Sequence, residues 1–445
     1  MPDDIETLSA TDKECSATLE DGTYSVPDQK VSTFTSLGIR NFRLLITGTV
    51  LSNAVLWIQQ VTLSWLVYYL TGSGTMLGSI NLLRSFAALA MVPAAGLLID
   101  RFQRRNLMLM TNGWLFTINL GLGLLLVFGY SHLLILFIFA LLAGLAQTVD
   151  SSLRQVVIFD LVPRRMTPNA VALVQTGWSL MRSFGPGIGG FLILWIGAGG
   201  NFLVQAGASV LIALTIIRIQ FPVRTTEACT GSVIENIREG VWYIIREPVT
   251  RTYMLIGVIL PLFIIPTFVI LPAIYAKDVF HGGSDTLGIL MSSVGVGGIV
   301  GGFATASLGR VERRGLLQIG SLLMVSLALI AFAFCTELWM ALPILAVAGF
   351  FEMIFLATNQ TLLQLSIPDH LRGRVTTIIN LNMALGPLGG MVAGVGSDLF
   401  GGPKMITIIM SGIAAGIAVI IYFASPSVRN YHLSDAISQK QDSTP

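Results

Sequence analysis

"GLLIDRFQRRNLML", residues 96–109, sets a long apolar run against a knot of charge and then resumes the apolar pattern. Asp100, Arg101, Arg104 and Arg105 fall within six residues, between Ile99 and Leu107. Charge this dense between two hydrophobic stretches reads as a short loop at a membrane surface. The composition agrees. Apolar residues make up 53% and charged residues 11%, with a mean hydropathy of +0.77. A soluble domain carries about 25% charged residues, so this chain of 445 residues needs lipid as its solvent. The net charge of +2 gives no reason to expect a nucleic-acid partner. Cys15, Cys229 and Cys335 form neither a CxxC pair nor a metal-ligand spacing, so no metal or other cofactor is expected.

A hydrocarbon core of ~30 Å takes ~20 apolar residues of helix. Apolar stretches of that length occur at 44–70, 75–99, 106–129, 132–156, 169–196, 201–221, 251–275, 285–308, 316–336, 338–365, 373–399 and 403–424. The chain is therefore expected to be an all-α membrane protein with twelve transmembrane helices. Threading it through these spans puts 22 of the 26 lysines and arginines on one face and only Lys277 and Lys404 on the other. Arg84 and Arg182 lie inside spans. An excess of Lys and Arg marks the cytoplasm, so both termini are expected there. Residues 1–43 then read as a disordered cytoplasmic tail, without the apolar core of a signal peptide. Residues 44–221 form a first six-helix bundle, 251–424 a second, and 425–445 a C-terminal cytoplasmic tail. The connection 222–250 holds Ile234, Ile237, Val241, Ile244 and Ile245 at helical spacing, as in an amphipathic helix lying on the membrane.

The two bundles echo each other. "DRFQRR" at 100–105 returns as "GRVERR" at 309–314, "VPRRMTPNAV" from Val162 as "IPDHLRGRV" from Ile367, and "GPGIGG" at 185–190 as "GPLGG" at 386–390. Order is kept and the offsets, 209, 205 and 201, agree within eight residues, which marks two six-helix pseudo-repeats in parallel orientation. On these motifs the chain resembles the major facilitator superfamily over about residues 40–425. "GLLIDRFQRR" is similar to that superfamily's loop between the second and third helices, and "GPGIGG" to its antiporter-associated fifth-helix signature. "FDLVPRRMTPNAVAL", "IREGVWYIIREP" and "IPDHLRGRV" resemble bacterial enterobactin-type and macrolide-type exporters. The resemblance implies a multi-pass protein of the inner membrane, working as a monomer among membrane lipids. It would exchange protons for a small molecule such as a siderophore or drug while two bundles rock about a midplane site. Uptake by symport, or movement of lipid or lysophospholipid, is the alternative on the same fold.

In that frame Asp100, Arg101 and Arg105 are expected to latch the second helix to the start of the eleventh on the cytoplasmic side. The plainer alternative is a topology signal in which Asp100 neutralises an arginine. The second-half copy has Gly309 where the acid stood and keeps Arg310, Arg313 and Arg314. Asp150 and Arg154, four apart on the fourth helix, read either as part of the same gate or as a local ion pair.

An ion at mid-membrane costs ~3 kcal/mol on insertion scales, so each is a functional candidate. Arg84 shares a helical face with Asn81. Gln175 and Trp178 precede Arg182 by seven and four residues. Asn359 follows Glu352 by seven, and Asn53, Trp57, Gln60 and Ser64 form a stripe on the first helix. These are the substrate-cavity candidates. Glu352 is the one acid near mid-depth and the proton-coupling candidate, or else the structural partner of Arg84 or Arg182. Two arginines against one acid also point to an anionic substrate. Gly185, Pro186, Gly189 and Gly190, and their echoes Gly386 and Pro387, are expected to break or bend the fifth and eleventh helices. Pro261, Pro266 and Pro272 are expected to distort the seventh. Gly297/Gly301 and Gly298/Gly302 are GxxxG pairs suited to close helix approach. No lysine sits in a GxxxxGK[ST] loop, no histidine begins HExxH and no serine sits in GxSxG. An ATP-driven pump and an enzyme both lack their motifs.

Overall fold

The computed structural model describes residues 35–221, 242, 246–307, 313–365, 367 and 385–424. Most of both tails, most of the 222–250 linker with its expected amphipathic helix, Arg310, and the start of the eleventh span lie outside the described residues. Eleven helical elements follow in order: α1 (Arg40–Thr71), α2 (Gly74–Arg101), α3 (Arg104–Val127), α4 (Leu133–Leu161), α5 (Thr167–Arg218), α6 (Thr250–Val279), α7 (Ser284–Ser307), α8 (Arg314–Ala333), α9 (Leu338–Leu365), α10 (Gly386–Leu399) and α11 (Pro403–Ala424). There is no strand among the described residues. Ten of these elements are long and apolar enough to cross a bilayer.

α5 holds two spans. Its 52 residues would reach about 78 Å as one straight helix, against a hydrocarbon core of ~30 Å. The chain turns back at Gly197 (φ 72°, ψ 170°), the one residue inside α5 with non-helical dihedrals. That region is open to glycine and almost closed to other residues. With α5 counted twice and the fourteen described residues of α10 taken as part of the eleventh span, the helices are consistent with twelve. Large apolar side chains face outward, with Trp195, Phe303, Leu399 and Phe423 all more than 70% exposed. A bilayer solvates such a surface, and water does not.

The expected break at Gly185–Pro186 is not present, because helical dihedrals continue through Pro186. The glycines there serve close packing instead. A Cβ at Gly185 would stand 2.7 Å from Trp57 Cβ of α1, and one at Gly189 would stand 3.2 Å from Ile58 Cα. Gly386 and Pro387 occupy the first described turn of α10, where the missing proline N–H is tolerated. α6 does show the distortion expected from its prolines. Two π turns, Leu260–Ile264 and Tyr275–Val279, interrupt its α-helical pieces. Of the two GxxxG pairs in α7, Gly297 and Gly301 are the tight ones and press on Ala346 O and Phe350 O of α9.

The six-helix halves meet along two seams of small residues. On one, Ser183, Pro186 and Gly190 of α5 face Gly295, Gly288 and Ser284 of α7, and a Cβ at Gly288 would lie 2.7 Å from Pro186 O. On the other, Gly74 and Gly78 of α2 face Gly394 and Met391 of α10. Both seams run from mid-bundle to the end where α1 joins α2 and α6 joins α7, named the Tyr68 end below. The opposite end, with the α2–α3 connection, is the Asp100 end.

Replacing Gly197 by alanine forces a side chain into a glycine-only conformation and should destabilise the protein by about 1–3 kcal/mol. Gly207 lies in the same element with open space around it, and Gly207→Ala should melt like the parent. Thermal melts in detergent, followed by tryptophan fluorescence, compare the two. Equal melting of both variants would mean that Gly197 does not fix the turn.

Candidate functional site

Near mid-depth the first half gathers a polar cluster on α1, α2 and α4. Arg84 Nη1 donates to Gln60 Oε1 at 3.0 Å and Nη2 to Gln147 Oε1 at 2.8 Å. The Gln60 amide nitrogen in turn donates to Asn81 Oδ1 at 3.1 Å and to Ser64 Oγ at 3.3 Å. Gln60, Asn81 and Arg84, three of the substrate-cavity candidates, are thus brought together. Gln147 was missed, although it precedes Asp150 by three residues and Arg154 by seven and so lies on their helical face.

The second cluster crosses between the halves. Arg182 Nη2 of α5 donates to both carboxylate oxygens of Glu352 on α9, at 2.5 and 2.7 Å. Glu352 is 1% exposed, so its charge is held by this partner. The Arg182 guanidinium carbon sits 5.8 Å from the centre of the Trp178 ring, within cation–π range. Trp178 makes an edge-on contact with Trp57 of α1 at 5.9 Å. Of the two partners open to Glu352 on sequence grounds, the structure pairs it with Arg182.

Other candidates lie apart. Asn359 accepts from Gln318 Nε2 of α8 at 2.6 Å, within the second half. Asn53 is half-buried and Gln175 exposed. Arg154 Nε donates to Asp150 Oδ2 at 2.7 Å, and Ser52 of α1 donates to the same oxygen at 3.2 Å. That buried pair belongs to the first half alone. At the Asp100 end, Asp100 and Arg101 are exposed. Arg105 donates to Ile217 O at 3.1 Å, in the last turn of α5, where carbonyls lack helical partners. Arg104 is ion-paired with Asp160. Arg313 is exposed and Arg314 buried.

Sequence reasoning missed the contacts that close the Tyr68 end. Asp398, in the last turn of α10, accepts from Ser73 Oγ at 2.6 Å and from the backbone N–H groups of Gly74 and Thr75 at 2.7 and 2.9 Å. An acid from one half thus caps the α2 helix of the other, where exposed amides and the helix dipole favour negative charge. Beside it, Tyr68 OH donates to Asp278. Lys277 Nζ donates to the carbonyls of Tyr68 and Tyr69 at 3.4 Å each and lies over both rings.

Two matched halves, seams of small residues and a cross-half ion pair at mid-depth form the framework of the site. A model of the transmembrane secretion effector family of the major facilitator superfamily matches residues 31–442. The chain belongs to this family. Similar proteins include the staphyloferrin A transporter of Staphylococcus aureus, 26% identical over 84% of this chain and 93% of that protein. The multidrug efflux pump Tap of Mycolicibacterium fortuitum is 26% identical over 80% and 89%. The enterobactin exporter EntS of Escherichia coli O1:K1 is 22% identical over 85% and 89%. Among solved structures, an inward-facing bacterial homologue of the lysosomal transporter Spinster superposes with a TM-score of 0.69 at 15% identity, covering 88% of this chain and 98% of that one. A D-xylose–proton symporter gives 0.66 at 14% identity, covering 88% and 99%.

As a major facilitator transporter, the protein moves a small molecule and is not an enzyme. The Asp398 junction then offers a direct perturbation. Asp398→Ala removes the acceptor for three donors and should weaken closure at the Tyr68 end. Spin labels at Met76 and Leu399, both exposed, should gain a longer-distance component in the variant, raised several-fold in population. An unchanged distance distribution would make Asp398 a local cap without influence on the halves.

Proposed function

We propose that this transporter is a proton-coupled exporter of a small organic molecule, working by alternating access of its two halves in a bacterial inner membrane. The contact that carries the reading is Arg182 to Glu352, the charged bond between the halves at mid-depth. A carboxylate bound this way has two exclusive states. Ionised, it holds Arg182 and ties α5 to α9. Protonated, it loses the charge that Arg182 answers, and the centre is free to part. Proton uptake from one side and release to the other then becomes a change in how the halves meet.

The charge distribution supports the direction. The face rich in arginine is the Asp100 end, which the positive-inside bias assigns to the cytoplasm. On that assignment the seams and the Asp398 cap seal the outer face in this conformation, the state in which an exporter loads its substrate. The named exporters among the relatives fit the same direction. Asp100, at the end of α2, is the corresponding inner latch when the halves tilt the other way.

Flux from sealed proteoliposomes loaded with fluorescein or ethidium, with and without an imposed pH gradient, tests the coupling. Efflux of at least one dye should accelerate about tenfold with the gradient, and Glu352→Gln should remove the acceleration. Gradient-independent flux in the parent, or a Glu352→Gln variant that responds normally, rules the coupling out. In the same vesicles Asp100→Asn should insert normally and transport at a small fraction of the parental rate. Full transport by Asp100→Asn would reduce the charged loop to a topology signal.

A further inference from the structure

We infer that Arg84 is the docking charge for a carboxylate on the transported molecule, so the substrate class is organic anions. The inference rests on the transport reading above and adds the chemistry of the cargo. Three other arginines in or beside the spans each meet a carboxylate: Arg104 with Asp160, Arg154 with Asp150 and Arg182 with Glu352. Arg84 does not. Among the described residues its partners are two neutral amide oxygens, Gln60 Oε1 and Gln147 Oε1.

An amide oxygen answers the hydrogen-bonding needs of a guanidinium but not its charge. A cation near mid-membrane without a counter-charge is costly. Glu352, the one acid at that depth, is engaged by Arg182 across the bundle. Among the described residues the first half therefore keeps an uncompensated positive charge near mid-depth.

The surroundings make Arg84 a receptor for an anion. Of its five N–H donors, two are taken. Three are left without a protein partner among the described residues. Gln60 and Gln147 fix the guanidinium from two sides, and Gln60 is itself fixed by Asn81. A pinned planar fork suits the two oxygens of a carboxylate. Trp57 lies three residues before Gln60 on α1, on the same helical face. Its contact with Trp178 supplies an aromatic wall for a flat, apolar body. The predicted cargo pairs a carboxylate with such a body.

Three probes of nearly one shape separate charge from size: benzoate, benzamide and benzamidine, bearing negative, zero and positive charge. Each is titrated into the detergent-purified full chain at constant ionic strength, with melting followed by tryptophan fluorescence. Benzoate should raise the melting temperature saturably, and the other two should not. Arg84→Gln should weaken the apparent affinity for benzoate at least tenfold, and Arg84→Lys should retain part of it. Benzamidine stabilising as well as benzoate, no distinction among the three, or a benzoate response that survives Arg84→Gln overturns the assignment. The assay is at equilibrium with no gradient, so a parent protein that binds benzoate but shows gradient-independent flux keeps the anion site and loses only the coupling. Loss of proton-driven flux and loss of anion binding are thereby read separately.

Discussion

The halves of this transporter can meet at mid-depth only because small residues line the surfaces where they touch. Gly288 and Gly295 of α7 sit against the backbone of α5, and Gly74 and Gly394 sit against each other between α2 and α10. In lipid, apolar side chains gain nothing by leaving the solvent, so helix association depends on close backbone approach. A methyl group at any of these positions would hold the seam open. Ser183, pressed on Gly295, is the neighbour of Arg182. The reach of Arg182 to Glu352 is set by that contact, while the pairing of Trp178 with Trp57 depends on the approach of α1 to α5 at Gly185.

The seams also explain why charge can be divided unequally. The second half contributes the carboxylate of Glu352, and the first contributes Arg182 and Arg84. Pairing across the seam neutralises one arginine and strands the other. Within the first half, Asp150 and Arg154 are already matched and cannot compensate Arg84. The polar interior is therefore not a symmetric cavity but a surface with one cross-linked site and one cationic site beside it.

Much of this was legible in the sequence, for physical reasons that also mark where legibility stopped. Hydrophobic length counts spans because the bilayer has a thickness, and Gly197 falls in the gap left between the fifth and sixth. Arg84, Arg182 and Glu352 stood out because ions at mid-depth are expensive. Which arginine meets Glu352 depends on helix rotation and neighbour order, which no single span encodes. Pro186 does not break its helix, because a proline can remain inside a helix while its neighbouring glycines do the packing. Asp398, Asp278 and Tyr68 escaped notice because they lie at span ends, where polar residues are cheap and carry no signal by depth. Gln147 could have been found from its place on the Asp150–Arg154 face.

The Asp398 junction has a consequence for how this protein varies over evolutionary time. Two of its three donors are main-chain N–H groups, which every residue except proline supplies. The Thr75 hydroxyl also faces the carboxylate, and Gly74 is held by the proximity of Gly394 rather than by Asp398. Selection on the junction therefore falls chiefly on the carboxylate and on the Ser73 hydroxyl that meets it at the head of α2. Paired substitutions would be sparse here, confined to Asp398 and the hydroxyls at the head of α2, at a place where the two halves are bound together.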